Sequence, residues 1–156
     1  MLPDLLAAVE RLPVAGALKA SFYAYPLVNA LHILSIGMLV GAVVLMDLRI
    51  LGLARGVERE PFLHLMRVTA ALAFPVAALT GLTLFSVRAR EYAANPAFQA
   101  KLALLVLAGL NFWAFRRIAA PAAAGAPYPP AAKALAALSI ALWLAVLVAG
   151  RFIGFL

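Results

Sequence analysis

Four apolar runs, each about as long as a membrane is thick, constrain this chain more than any other feature of its sequence. They cover about residues 23–46, 62–87, 98–115 and 134–155. Since about twenty helical residues cross the roughly 30 Å hydrocarbon core of a bilayer, each run can form a transmembrane helix. Only 12% of the residues are charged, about half the share usual in soluble domains. We therefore predict an all-α membrane protein, a four-transmembrane-helix bundle in contact with the lipid bilayer.

The spans and their short loops use up most of the 156 residues, which predicts a single membrane domain over residues 1–156. Residues 1–20 are predicted to form a short amphipathic helix at the membrane interface, because their apolar residues share one face and Glu10 and Arg11 lie off it. The net charge is +7, but the basic residues flank the apolar runs, where they suit lipid headgroups better than nucleic acid. The Ala-, Leu- and Arg-rich composition suggests a bacterial inner membrane protein with several passes.

Ionisable residues inside the spans are costly in lipid, so each marks a candidate site. Because successive spans run in opposite directions, His32, Lys101 and Arg151 are predicted to lie at similar depth on one side of the bundle. Tyr25, Asn29 and His32 stand at i, i+4 and i+7, and therefore form one stripe on the first span. The structural alternatives are a hydrogen-bonded neutral His32, and basic side chains that reach the surface with their stems in lipid. The shared depth favours a binding site.

The two histidines raise the question of a haem, since an imidazole inside a membrane bundle is a common ligand of haem iron. His32 and His64 lie near opposite ends of antiparallel spans, about 20 Å apart along the membrane normal at 1.5 Å per residue. Two imidazoles on one iron need nitrogens about 4 Å apart, so these two are not expected to share a haem. Three alternatives remain: one haem with a mixed ligand set near His32, a second haem near His64, or no haem.

Two features of the first span bear on helix packing, and the absence of cysteine limits the kinds of site. Gly37 and Gly41 form a GxxxG pair on the face of the first span away from His32, and such a pair allows close helix contact in a homo-oligomer. Asp47 is predicted to form an ion pair with a neighbouring arginine. Cysteine is absent, which excludes disulfides and thiolate metal sites.

Three of the spans resemble the helices of a known family. The run NALHILSIGMLVGAVVLMDLRIL is similar to the first conserved helix of the HemJ-type protoporphyrinogen oxidases. Their proline-interrupted second helix and lysine-led third helix resemble PFLHLMRVTAALAFPVAALTGLTLF and FQAKLALLVLAGLNFWAF. The CopD-type copper-resistance membrane proteins share a related helical arrangement. The resemblance covers about residues 23–117 and is closest to an uncharacterised group of small bacterial inner-membrane proteins.

The HemJ resemblance implies a b-type haem held in a four-helix bundle. It implies His32 as an axial iron ligand, and Lys101 as a second ligand or a partner of a haem propionate. The implied reaction is oxidation of a porphyrinogen, with electrons passed to a membrane acceptor. Asn111 stands near the place where HemJ-type proteins tend to carry a further histidine, a departure that bears more on oxidase activity than on haem binding.

The sequence thus predicts a haem b protein for electron transfer, with a porphyrin or a quinone as its partner. Arginines would pair with the propionates and polar groups would orient the imidazole; these residues are Arg151, Arg88, Tyr25 and Asn29. One alternative is a haem-dependent membrane oxidoreductase of the HemJ kind. The other is a cofactor-free small transporter or assembly subunit, with the glycine pair as its contact. No nucleic-acid partner is expected.

Overall fold

The computed structural model describes residues 1–53, 56–119 and 127–155. These residues form α-helices and no β-strand, in the order α1 (Leu2–Glu10), α2 (Pro13–Ala20), α3 (Ala24–Leu51), α4 (Arg59–Val87), α5 (Ala89–Ala94), α6 (Pro96–Ile118) and α7 (Pro130–Phe152). The helices α3, α4, α6 and α7 are long and apolar enough to cross a membrane. The predicted all-α fold with four transmembrane helices is confirmed.

The ends of the four long helices differ by a few residues from the ends of the apolar runs, because local capping residues rather than hydropathy determine where a helix ends. The helix α3 continues to Gly52, whose φ of 97° is the left-handed conformation that ends helices. The helix α6 begins at Asn95, whose side chain accepts hydrogen bonds from the amides of Ala97 and Phe98. The helix α4 continues through Pro75.

The N-terminal segment is divided into two helices where the sequence predicted one. The division falls at Arg11 and Leu12, and Pro13 begins α2. A proline lacks the N–H that would continue α1, but it suits the first position of a new helix. A further short helix, α5, lies in the connection between α4 and α6, which the sequence analysis took as a loop. Contacts of α1 with α5, and of α2 with α4 and α3, hold this layer against one end of the bundle.

The four spans pack in the spatial order α4, α3, α7, α6. The helix α3 packs against both α4 and α7, and α6 packs against α7. Among the described residues, no Cα atom of α4 comes within 8 Å of a Cα atom of α6. At the α5 end, the rings of Phe85 on α4 and Phe98 on α6 stack with centroids 5.3 Å apart. The side between α4 and α6 is therefore the most loosely packed side of the described bundle, and aromatic rings join the two helices at one end.

Candidate cofactor site around His32

The imidazole of His32 is held in one tautomer by a threonine on the neighbouring helix. Its Nδ1 lies 2.9 Å from Oγ1 of Thr80. The same hydroxyl lies 2.6 Å from the carbonyl oxygen of Val76, which can only accept a hydrogen bond. The hydroxyl proton is therefore donated to Val76, and the hydroxyl oxygen accepts from Nδ1–H of His32. Nε2 is left with its lone pair, which is the form of imidazole that binds a metal ion.

A glycine makes room for this ring. A Cβ atom at Gly81 would lie 2.9 Å from Cε1 of His32, closer than real Cβ contacts allow. The ring fills the space that a side chain at this position would need, and Thr80 binds it through Nδ1. The pair Thr80–Gly81 thus fixes both the position and the hydrogen bonding of His32.

Lys101 reaches the same region from α6. Its side chain lies along α7 at Gly150, where a Cβ atom would be 3.5 Å from Nζ. The side chain is half-buried. No carboxylate of the described residues forms an ion pair with it. His32 thus contacts α4 at Thr80 and Gly81, and Lys101 contacts α7 at Gly150; their predicted convergence in one site stays a prediction.

The predicted propionate partners do not join this group. The guanidinium of Arg151 is exposed and stacks 4.5 Å from the ring centroid of Phe155. Arg88 is exposed at the end of α4 and forms a 3.3 Å ion pair with Glu91. Both arginines therefore lie at the rim of the bundle, on the same side as His32 but away from its ring.

The predicted orienting residues also have other surroundings. Tyr25 forms a hydrogen bond with Tyr92 of α5, and burial, with this bond, raises the pKa of Tyr92 to about 12. Asn29 is half-buried on α3. Thr80, which the sequence analysis did not assign to the site, makes the hydrogen bond to the imidazole. The sequence feature that could have indicated this role is a threonine followed by a glycine within an apolar span.

His64 lies far from this site. It is exposed near the start of α4, about 25 Å along the helix from Gly81 at 1.5 Å per residue. The two histidines are therefore too far apart to bind one iron, as the sequence predicted.

The described residues contain no group of three or more His, Cys, Asp or Glu side chains that could hold a metal ion. A bare metal ion of the usual kind needs about three or four protein ligands. Haem iron needs only one or two, because the porphyrin supplies the other four nitrogens. His32 alone supplies fewer ligands than a bare metal ion of this kind needs.

Residues 9–156 match the model of a family described as a family of unknown function, DUF6644. The match includes all four spans. No curated protein and no solved structure matches the chain.

Proposed function

The chain belongs to the DUF6644 family, and we propose that it is a b-type haem protein that transfers electrons in a membrane. One observation carries the proposal. Inside an apolar bundle, His32 donates Nδ1–H to Thr80 and keeps the lone pair of Nε2 free. Ligating histidines are held in this way, with the second nitrogen bonded to a neighbouring group that fixes the ring and its tautomer.

The surrounding residues fit such a group. Gly81 leaves room for the ring that would bind iron. Lys101 brings a cation that no described carboxylate neutralises, and a haem propionate is an anion of matching charge. The side between α4 and α6 is the most loosely packed side of the described bundle. These features support a haem between the spans, with His32 as one axial ligand and Lys101 as a propionate partner or a second ligand.

The roles of the chain follow from the same contacts. A bound b-type haem would supply a one-electron redox couple. Thr80 holds the imidazole in its ligating tautomer, Lys101 balances negative charge, and the apolar spans keep water from the site. A quinol or a porphyrinogen is soluble in lipid, so it can approach through the loosely packed side between α4 and α6. The bacterial inner membrane, where such carriers are found, is the location that we propose.

The proposal is tested by titrating the detergent-purified protein with haemin and following the Soret band. We expect saturation at about one haem per chain in the wild type and in His64→Ala, because His64 is exposed and distant from the site. His32→Ala should lose this binding. Equal binding by His32→Ala and the wild type, or loss in His64→Ala alone, would contradict the assignment.

A HemJ-like oxidase is the enzymatic form of this proposal. It is separated from a bare electron carrier by complementation of a strain that lacks protoporphyrinogen oxidation. Growth restored by the wild type but not by His32→Ala favours the enzyme. Failure of the haem-loaded wild type to restore growth favours an electron carrier.

An assembly subunit is a second candidate, and the glycine pair favours it. A Cβ atom at either Gly37 or Gly41 would meet nothing within 4 Å. The GxxxG face of α3 is thus not used for packing within its own chain, and a second copy could dock there with close backbone contact. This role does not conflict with haem binding, because His32 lies on another face of the helix.

A further inference from the structure

The other end of the bundle holds two polar side chains that are more than nine-tenths buried. Asp47 on α3 is 7% exposed and Asn111 on α6 is 8% exposed. Both lie against one turn of α7. The Asp47 carboxyl lies near the side chain of Ser139, and Nδ2 of Asn111 donates to the carbonyl oxygen of Leu135 at 3.1 Å. Residues 135 and 139 are one helical turn apart, so the two polar groups are at the same level of the bundle.

One oxygen of each side chain has no hydrogen-bond partner. These atoms are Oδ2 of Asp47 and Oδ1 of Asn111, and both are buried. Buried polar atoms are almost always paired, so each exception needs an explanation. Both atoms are acceptors. Oδ2 of Asp47 therefore lacks a donor or a cation, although Nε of Arg49 at the same end of the bundle is also buried without a hydrogen bond.

The predicted ion pair between Asp47 and an arginine does not form among the described residues. Arg49 lies two residues further along α3, so it points to a different side of the helix, and its Nη2 donates to the carbonyl of Val57 at 3.1 Å. Arg59, at the start of α4, stacks 4.2 Å from the ring centroid of Tyr128.

The other charged or titratable groups on the packed spans at this end are exposed or turned toward aromatic rings. They are Glu60, His64 and Arg67, exposed on α4, Lys133, half-buried in the first turn of α7, and Arg116 and Arg117 beside the rings of Phe112 and Trp113 on α6. The carboxyl of Asp47 is thus buried without a described countercharge.

We propose that Asp47 is a proton-binding site inside the membrane bundle, at the level of Ser139 on α7 and Asn111 on α6. A proton on Oδ2 converts the carboxylate to a carboxylic acid, which removes an unpaired buried charge and supplies the missing donor. A hard metal cation that binds oxygen takes about six or more ligands, more than these three side chains supply. Asp47 lies about one helical turn before the end of α3, so a proton has a short path from water. This proposal does not depend on the haem proposal.

Labelling with dicyclohexylcarbodiimide tests the site, because this reagent adds covalently to protonated carboxyls in apolar surroundings. The full chain in detergent is labelled over a series of pH values and analysed by peptide mass spectrometry. We expect an adduct on Asp47 that decreases as the pH rises and is absent from Asp47→Asn. Asp4 and Glu91, which are exposed, provide internal controls that should stay unlabelled.

Three results would overturn the proposal. Protection of Asp47 by sodium chloride, but not by choline chloride at equal ionic strength, would make the site a sodium site. Labelling that does not change with pH would mean that no proton is exchanged. Asp47 would not be protonated if two results were found together. No adduct would form on Asp47, and the infrared spectrum would show no carboxylic-acid C=O band that is lost in Asp47→Asn. The pH dependence of Asp47 labelling in the wild type tests the proposal even if Asp47→Asn fails to fold.

Discussion

At the scale of single residues, the contact between Thr80 and His32 is the basis of the proposed site. Removal of the hydroxyl in Thr80→Val takes away the acceptor for Nδ1–H, so the ring loses both its fixed tautomer and its orientation. Loss of a hydrogen bond that orients a ligating histidine typically reduces metal affinity about 10- to 100-fold. We expect a comparable loss of haem affinity in Thr80→Val, measured by haemin titration. Thr80→Ser keeps the hydroxyl and should bind like the wild type; equal affinity of the valine and serine variants would argue against the role of Thr80.

Gly81 is expected to tolerate no side chain. The alanine Cβ would lie 2.9 Å from Cε1 of His32, so the helices or the ring must shift, as in an overpacked core. Overpacking costs about 1–3 kcal/mol, and Gly81→Ala should lower the thermal midpoint in detergent. Gly109→Ala is the matched control, because a Cβ atom there meets nothing within 4 Å. Equal thermal midpoints for Gly81→Ala and Gly109→Ala would show that α4 is not closely packed against the imidazole of His32.

Lys101 has two alternative roles that one pair of variants separates. Arginine keeps the positive charge but does not deprotonate in proteins, so Lys101→Arg preserves pairing with a propionate and removes iron ligation. Lys101→Met removes both. If Lys101 pairs with a propionate, haem affinity should fall in the methionine variant and remain in the arginine variant, with an unchanged visible spectrum. A changed spectrum in both variants would assign Lys101 as a ligand, and no change in either would remove it from the site.

At the scale of elements, the ion pair between Glu10 and Arg90 links α1 to α5. Glu10 accepts from the Arg90 amide at 3.0 Å, from Nε at 3.1 Å and from Nη2 at 2.8 Å. These bonds hold the pKa of Glu10 below its ordinary value. The stabilisation from Glu10 is therefore present at neutral pH and is lost as the pH falls through this lowered pKa.

We expect α1 to detach from α5 in acid, detected as faster amide hydrogen exchange over residues 2–10 after correction for the intrinsic rate. Since the guanidinium of Arg90 is exposed, salt should have a similar effect at neutral pH. The Glu10→Gln variant should show the faster exchange at every pH. Exchange that is independent of pH in the wild type would mean that other contacts hold α1 in place.

The free glycine face of α3 predicts a contact between two copies. The chain has no cysteine, so a single introduced cysteine reports on its own neighbourhood. Gly41→Cys should form disulfide-linked dimers in membranes on oxidation. Leu31→Cys is at an exposed position about 100° round α3 from the Gly37/Gly41 face. It should form far fewer disulfide-linked dimers. Equal crosslinking of both variants would indicate random collisions rather than a defined interface.

Hydropathy predicted the four spans because lipid leaves few alternatives to an apolar helix. Alternating direction also predicted that His32 and Lys101 converge. The partners Thr80, Gly81 and Gly150 could not be predicted, because they depend on which helices become neighbours and how each is rotated. The proline at position 13 indicated a break between two helices, but the amphipathic pattern of residues 1–20 continues across it and favoured a single helix. Among the described residues, the ion pair expected for Asp47 is not formed, because Arg49 points to another side of α3 and binds the carbonyl of Val57.

At the scale of the whole molecule, the chain carries two polar sites in an otherwise apolar bundle. One surrounds His32 near the α5 end, and the other surrounds Asp47 near the opposite end. Between them, α3 and α7 form the packed centre, while no described Cα atom of α4 lies within 8 Å of a Cα atom of α6.

The central claim is that His32 binds a b-type haem, and a difference spectrum of the purified protein in reduced and oxidised form tests it most directly. The wild type, His32→Ala and His64→Ala are expressed with added haem precursor and compared at equal protein concentration. We expect a Soret band with reducible α and β bands in the wild type and in His64→Ala, and their loss in His32→Ala. A folded wild type without these bands, or a His32→Ala variant that retains them, would contradict the claim.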